Sequence, residues 1–136
     1  MRLLYDSRLP QSLEFEARAA PAGTAVDFVR WSGGGISDAE LIRAGAEDGF
    51  AGLVLLDRDS LSQVDLRTTA REVGIALIAI AAEDPLEAKQ RLLRNLAPLR
   101  RALLEHDCLV VLANAVRAQG EMSEADAEDK AVTAAC

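Results

Sequence analysis

Near the middle of the chain the sequence reads Gly52-Leu53-Val54-Leu55-Leu56-Asp57-Arg58-Asp59. An apolar run with a glycine before it and charged residues after it is typical of a strand that is covered on both faces. Such strands belong to mostly parallel sheets, which bind ligands in the crevice outside the carboxyl ends of the strands. We therefore predict that Asp57 and Asp59 lie at the functional edge of a parallel sheet.

Apolar runs and helical patterns alternate on both sides of this strand. The other predicted strands cover residues 2–5, 25–31, 75–82 and 108–112, and residues 115–118 could add a short sixth strand. The predicted helices run from Pro10 to about Ala20, from Ser37, from Ser62 to Val73, and along a leucine-rich segment from Pro85 that Pro98 should kink or divide. This order predicts an α/β fold, with a mostly parallel five-stranded sheet and helices on both faces.

The chain has 136 residues and a net charge of −7, but the charge is uneven. Residues 121–136 hold five acids and one lysine, so we predict one domain over residues 1–120 and a disordered acidic tail over 121–136. The positive and negative charges of residues 1–120 nearly balance. This argues against a basic surface that coats nucleic acid, but not against an enzyme with a local basic rim.

The apolar runs and the few cysteine and histidine residues constrain the cellular location and the metals that the protein could bind. No apolar run approaches the roughly 20 residues of a membrane span, and the first residues are strand-like, so neither a membrane segment nor a signal peptide is predicted. Two cysteines far apart suggest a reducing compartment, and we predict a cytoplasmic protein. With one histidine and no CxxC motif, a zinc site is not expected.

Four aspartates are candidate site residues. Asp6 ends the first strand, Asp57 and Asp59 follow the third, and Asp38 extends the core-facing stripe of a helix that Ser37 and Glu40 open as a capping box. Converging carboxylates without histidine or cysteine are hard oxygen ligands that suit Mg²⁺ or Mn²⁺. Other roles stay open: Asp6 could cap a helix, Asp38 could favour the helix dipole, and Asp57 and Asp59 could be turn acids.

Three motifs together resemble the PIN-like domains of the short prokaryotic kind, which are related to the ribonuclease toxins of toxin–antitoxin pairs. They are Asp6-x-x-Leu9-Pro10, the helix opening Gly35 to Ile42, and Leu55-Leu56-Asp57-Arg58-Asp59, and the resemblance spans about residues 1–118. It implies a three-layer α/β sandwich and metal-dependent cleavage of RNA. It further implies that the metal-binding and catalytic residues are Asp6, Asp38, Asp57 and Asp59, with Arg58 and Arg8 contacting phosphate.

The leading functional hypothesis is thus an endoribonuclease toxin with an RNA substrate, a cognate antitoxin as partner, and a homodimer as one option. Two alternatives stay open. The family usually has Asp-Glu-Asn where this chain has Asp6-Ser7-Arg8, which allows a catalytically degenerate binding module. The strand that ends at Asp57 also resembles the phosphorylated strand of receiver-like signalling domains, although a lysine at the end of the last strand is missing.

Other polar and aromatic residues have two interpretations. A set of arginines could rim an RNA groove, namely Arg58, Arg67, Arg91, Arg94, Arg100 and Arg101. For Arg100 and Arg101 a solvated face is the favoured interpretation. His106 and Cys108 are predicted to be structural, and Tyr5 and Trp31 to pack rather than to stack on bases.

Overall fold

A single sheet forms the centre of the computed structural model, which describes residues 1–5, 8–20, 26–31, 37–56 and 64–118. Its strands are β1 (Arg2–Tyr5), β2 (Asp27–Arg30), β3 (Gly52–Leu55), β4 (Ala76–Ile80), β5 (Cys108–Val111) and β6 (Val116–Ala118). They are arranged in the order β2-β1-β3-β4-β5-β6, with the first five parallel and β6 antiparallel to β5. The sheet therefore has one strand more than the five predicted, and the extra one is the short strand suggested for residues 115–118.

Five helices connect the strands within the described ranges. They are α1 (Ser12–Arg18), α2 (Asp38–Glu47), α3 (Val64–Val73), α4 (Pro85–Arg94) and α5 (Leu96–Ala102). The leucine-rich segment is divided in two at Asn95, which confirms the prediction based on Pro98. Pro98 lies in the first turn of α5, where its missing N–H is tolerated because first-turn donors have no partner within the helix.

Two helices begin with side-chain caps, and the cap of α2 is the predicted capping box. The backbone N–H of Glu40 donates to Ser37 Oγ at 3.2 Å, and the Ser37 hydroxyl donates to Glu40 Oε1 at 3.1 Å. At α4, Asp84 accepts the N–H of Glu87 at 2.8 Å, and Pro85 occupies the first turn. Glu40 is thus a capping residue, as expected.

Successive strand residues point to opposite faces of the sheet, and each face has its own core. One face, here called the α1 face, is covered by α1, α4 and α5 and buries Leu3, Tyr5, Val54, Ile78, Ile80, Leu109 and Val111. The other, the α2 face, is covered by α2 and α3 and buries Leu4, Leu53, Leu55, Leu77, Ala79 and Val110. The continuously apolar strands are therefore covered on both sides, and the domain has three layers.

The connection from β4 to β5 has the opposite hand to the one before it. Both connections step in the same direction across the sheet, but α3 lies on the α2 face whereas α4 and α5 lie on the α1 face. The connections through α1 and α2 share the hand of the α3 connection, because they step in opposite directions and use opposite faces. Since about 98% of parallel crossovers are right-handed, we assign the left hand to the β4–β5 connection.

Residues 119–136, which include the predicted acidic tail, lie outside the described ranges. None of the five helices is long and apolar enough to span a lipid bilayer.

Candidate functional site

The strands that precede the predicted site residues are neighbours. Leu3, Leu4 and Tyr5 of β1 pair in parallel with residues 52–54 of β3. The last residues of these strands, Tyr5 and Leu55, therefore lie at the same edge of the sheet, on strands about 4.8 Å apart. We call this edge, where the parallel strands end, the carboxyl edge. Asp6 follows Tyr5 directly in the chain, and Asp57 follows Leu55 by two residues.

The site residues themselves are mostly beyond what the structure describes. Asp6, Asp57, Arg58 and Asp59 lie outside the described ranges, and Asp38 is the first residue of α2 but has no described side chain. Arg8 is exposed in the turn between β1 and α1. In the described part of the chain, no group of three or more His, Cys, Asp or Glu residues could hold a metal ion. None of the four predicted ligands has a described side chain, so their convergence stays a prediction.

The carboxyl edge has two topological crevices, and the reversed connection adds the one between β3 and β4. The helix that follows β3 lies on the α2 face, whereas the helices that follow its neighbours β1 and β4 lie on the α1 face. Ligands of open α/β sheets bind where successive connections leave to opposite faces. Such a switch point lies on each side of β3, the strand that leads to Asp57 and Asp59.

Tyr5 packs beneath this edge on the α1 face. Its side chain is fully buried, and its ring contacts Phe28 edge to face at a centroid distance of 6.4 Å. Within the described residues its hydroxyl has no hydrogen bond of standard geometry, although it interacts with the Glu14 carboxylate. Burial raises the pKa of the Tyr5 hydroxyl, and the negative charge of Glu14 raises it further, against a smaller lowering by Arg30. Tyr5 is thus a neutral packing residue, which confirms the prediction that it does not stack on bases.

Two of the predicted groove arginines bind backbone at the carboxyl edge instead of facing solvent freely. Arg91 donates to the carbonyl of Ala81, just after β4, and forms an ion pair with Glu87 at 2.7 Å. Arg94 Nη1 donates to the carbonyl of Ala113, just after β5, at 3.1 Å. These contacts join α4 to the ends of both strands.

Asn95 completes this attachment, and sequence reasoning did not identify it. Its buried side-chain amide donates to the carbonyls of Arg91 at 2.7 Å, Leu112 at 3.1 Å and Ala113 at 3.4 Å. The available signal was a lone amide residue inside a leucine-rich run just before Pro98. A polar side chain at such a break can bind carbonyls that have lost their helical partners.

The remaining arginines of that set lie elsewhere. Arg67 lines a cavity beside the first residues of β5, and Arg100 and Arg101 lie near Met1, which precedes β1. These positions are at the amino edge, where the parallel strands begin. Of the described members of the set, Arg91 and Arg94 alone contact the carboxyl edge.

No protein-family model matches the chain, and no curated protein matches it significantly.

Proposed function

We propose that the chain is a metal-dependent endoribonuclease of the PIN-like type, acting as the toxin of a toxin–antitoxin pair in the cytoplasm. The observation that supports it most is the parallel pairing of β1 with β3, because Asp6 follows the end of β1 by one residue and Asp57 follows the end of β3 by two. The resemblance of the three motifs to PIN-like domains supplies the reaction class.

The proposed donor set fits a hard divalent cation. Asp6, Asp38, Asp57 and Asp59 would hold Mg²⁺ or Mn²⁺ through carboxylate oxygens, and a cation would remove the repulsion among them. When bound, it would supply Lewis-acid chemistry that activates water and neutralises charge on a phosphodiester. Arg8 and Arg58 would bind and orient the phosphates on either side.

The shape of the carboxyl edge favours an extended substrate. Because a crevice borders β3 on both sides, a single RNA strand would have room for a nucleotide on each side of the scissile phosphate. The cognate antitoxin would then cover the same edge, and a homodimer would leave it open.

The first test is cleavage of single-stranded RNA with Mn²⁺ or Mg²⁺ by the wild type, by Asp57→Asn and by Asp48→Asn. Asp48 is an exposed acid at the end of α2, so its variant is a matched control. We expect the wild type and the control to cleave equally. Asp57→Asn should lose about 100-fold or more, since even residues behind a metal ligand affect activity 10- to 100-fold. Equal cleavage by all three proteins in EDTA would contradict the proposal.

Thermal melts provide a second test that needs no activity. Most substitutions destabilise by about 0.5–3 kcal/mol, but Asp57→Asn should be neutral or stabilising in EDTA because it removes a like charge. Mn²⁺ should raise the Tm of the wild type more than that of the variant, because a ligand of the folded state stabilises it. A clear loss of stability in EDTA with equal responses to Mn²⁺ would make Asp57 a structural turn acid. RNA binding without a response to Mn²⁺ would favour a degenerate binding module.

One observation favours a second candidate, a phosphoacceptor module. The order of the parallel strands, β2-β1-β3-β4-β5, is that of flavodoxin-like folds, and Asp57 follows β3. The reversed β4–β5 connection departs from that fold. Labelling of Asp57 by acetyl phosphate, absent in Asp57→Asn, would support this candidate over the nuclease.

A further inference from the structure

A cavity of about 150 Å³ lies at the amino edge, away from the carboxylates. The polar side chains that line it come from α3, from the turn before β5 and from the first residue of β5, and they are Arg67, Arg71, His106, Asp107 and Cys108. A water molecule occupies about 30 Å³ in the liquid. The cavity thus has room for several waters or for one small polyatomic ion.

Arg67 is the residue of this cavity whose bonding is incomplete. Its Nε is buried, and no hydrogen-bond acceptor reaches it in the part of the chain that the structure describes. Buried polar groups nearly always have a partner, so such a donor calls for an explanation, and a bound ion is one. Arg71 differs, because its Nε contacts Asp107 Oδ2 at 3.1 Å while both side chains are largely exposed.

The charges around the cavity favour an anion. Arg67 and Arg71 carry two positive charges against the one negative charge of Asp107, and His106 adds a further donor. A guanidinium group matches the oxygens of a tetrahedral oxyanion well, because its donors form a planar fork. The Arg71 and Asp107 side chains are largely exposed whereas Arg67 Nε is buried, so Arg67 is the inner cation.

We propose that this cavity is a binding site for inorganic phosphate, with Arg67 as its principal ligand. Asp107 decides between similar anions. Inorganic phosphate keeps a protonated oxygen at neutral pH, so it can donate to a carboxylate while its other oxygens accept from Arg67. Sulfate has no such proton, and a phosphate monoester loses its second proton near pH 6. The proposal does not depend on the proposed nuclease activity.

The first test measures phosphate binding by calorimetry for the wild type, Arg67→Gln and Arg43→Gln, against sodium chloride at equal ionic strength. Arg43 is exposed on α2 and does not line the cavity, so its variant is the matched control. We expect millimolar binding by the wild type and the control, and binding at least tenfold weaker by Arg67→Gln. Asp57→Asn should bind like the wild type, which separates this site from the proposed metal site.

Ligand choice is tested with sulfate and adenosine monophosphate on the wild type. Both should bind at least tenfold more weakly than phosphate. Equal or tighter binding of either would overturn the assignment to inorganic phosphate. Equal responses to phosphate and chloride would mean that the cavity holds water only, and equal binding by Arg67→Gln would remove Arg67 from the site.

Cys108 provides a readout that leaves Arg67 intact, should Arg67→Gln fail to fold. The chain has two cysteines, so Cys136→Ser leaves Cys108, a half-buried residue that lines the cavity, as the sole thiol. Saturating phosphate should slow its alkylation by iodoacetamide at least fivefold, because the ion and the reagent compete for the same space. An alkylation rate that phosphate leaves unchanged, relative to chloride, would overturn the proposal.

Discussion

The two edges of the sheet use arginine in different ways. At the carboxyl edge, Arg91 and Arg94 donate to the backbone carbonyls that follow β4 and β5. At the amino edge, Arg67 has a buried Nε with no acceptor among the described residues, and Arg71 forms an exposed ion pair with Asp107. Arginines that look alike in sequence thus hold the fold together at one edge and surround a cavity at the other.

This difference shows that the charge of an arginine predicts its structural role less well than the hydrogen-bond acceptors around it do. Strand-end carbonyls at the carboxyl edge have lost their ladder partners, and the cations of α4 bind them. Among the described residues, no such acceptor reaches Arg67 Nε, so this donor stays available for a ligand. The contrast predicts stability losses at the carboxyl edge that exceed those at the amino edge.

The largest effect should come from Asn95→Ala. The substitution removes a buried amide group and takes this donor from the carbonyls of Arg91 and Leu112, whereas the Ala113 carbonyl keeps the donation from Arg94. Unpaired buried groups cost about 1–3 kcal/mol each, so we expect a loss of about 2–3 kcal/mol in urea unfolding. Asn114→Ala, at an exposed position, should change stability by less than about 0.5 kcal/mol. Equal effects of the two variants would refute the role of Asn95.

A comparison of Arg91→Met with Arg71→Met should sharpen the contrast between the edges. The Arg91 side chain is 15% exposed and pairs with Glu87, whereas that of Arg71 is 73% exposed. Hydrogen bonds of buried charged groups contribute about 1.5–3 kcal/mol, but exposed ion pairs contribute about 0.2–1 kcal/mol. We expect Arg91→Met to lose about 1.5 kcal/mol in urea unfolding and Arg71→Met about 0.5 kcal/mol or less. A larger loss for Arg71→Met than for Arg91→Met would contradict the contrast between the two edges.

The smallest effect should come from Tyr5→Phe, which removes a buried hydroxyl that has no hydrogen bond of standard geometry within the described residues. At pH 8 the variant should be as stable as the wild type or up to about 1 kcal/mol more stable. The pKa of Tyr5 is raised on folding, so its contribution is complete below the unfolded value near 10 and is lost as the pH rises through the folded value.

Urea unfolding at pH 8 and pH 10.5 checks both parts of this expectation. Because Tyr5 is the only tyrosine, the wild type should lose more stability over this interval than Tyr5→Phe does. A variant that is less stable at pH 8 would mean that the hydroxyl has a partner, and an equal alkaline loss in both proteins would mean that folding does not raise the pKa of Tyr5.

Much of the fold could be predicted from local patterns. Ser37 caps α2 as expected, and the predicted apolar runs form strands, because capping and burial act over a few neighbouring residues. The hand of the β4–β5 connection could not be predicted. It depends on which face receives α4 and α5, and amphipathic helices suit either face.

The sequence predicts which strands border the candidate site, but not which polar side chains support it. That β1 and β3 adjoin follows from the order of a doubly wound sheet, and the pairing of Tyr5 with Val54 confirms it. The roles of Arg67, Arg91 and Asn95 depend on acceptors that are distant in sequence or missing. Such partners become visible only once the chain is folded.

The reversed connection also has a consequence for the folding pathway. If the β4–β5 connection had the same hand as the first three, α4 and α5 would dock on the α2 face. This competing arrangement would be a kinetic trap during folding. From the α1 face, Asn95 binds the carbonyls of Leu112 and Ala113, a contact that the competing arrangement would lack. Asn95 therefore favours the observed placement of α4 and α5. We expect Asn95→Ala to refold more slowly than the wild type, in addition to being less stable.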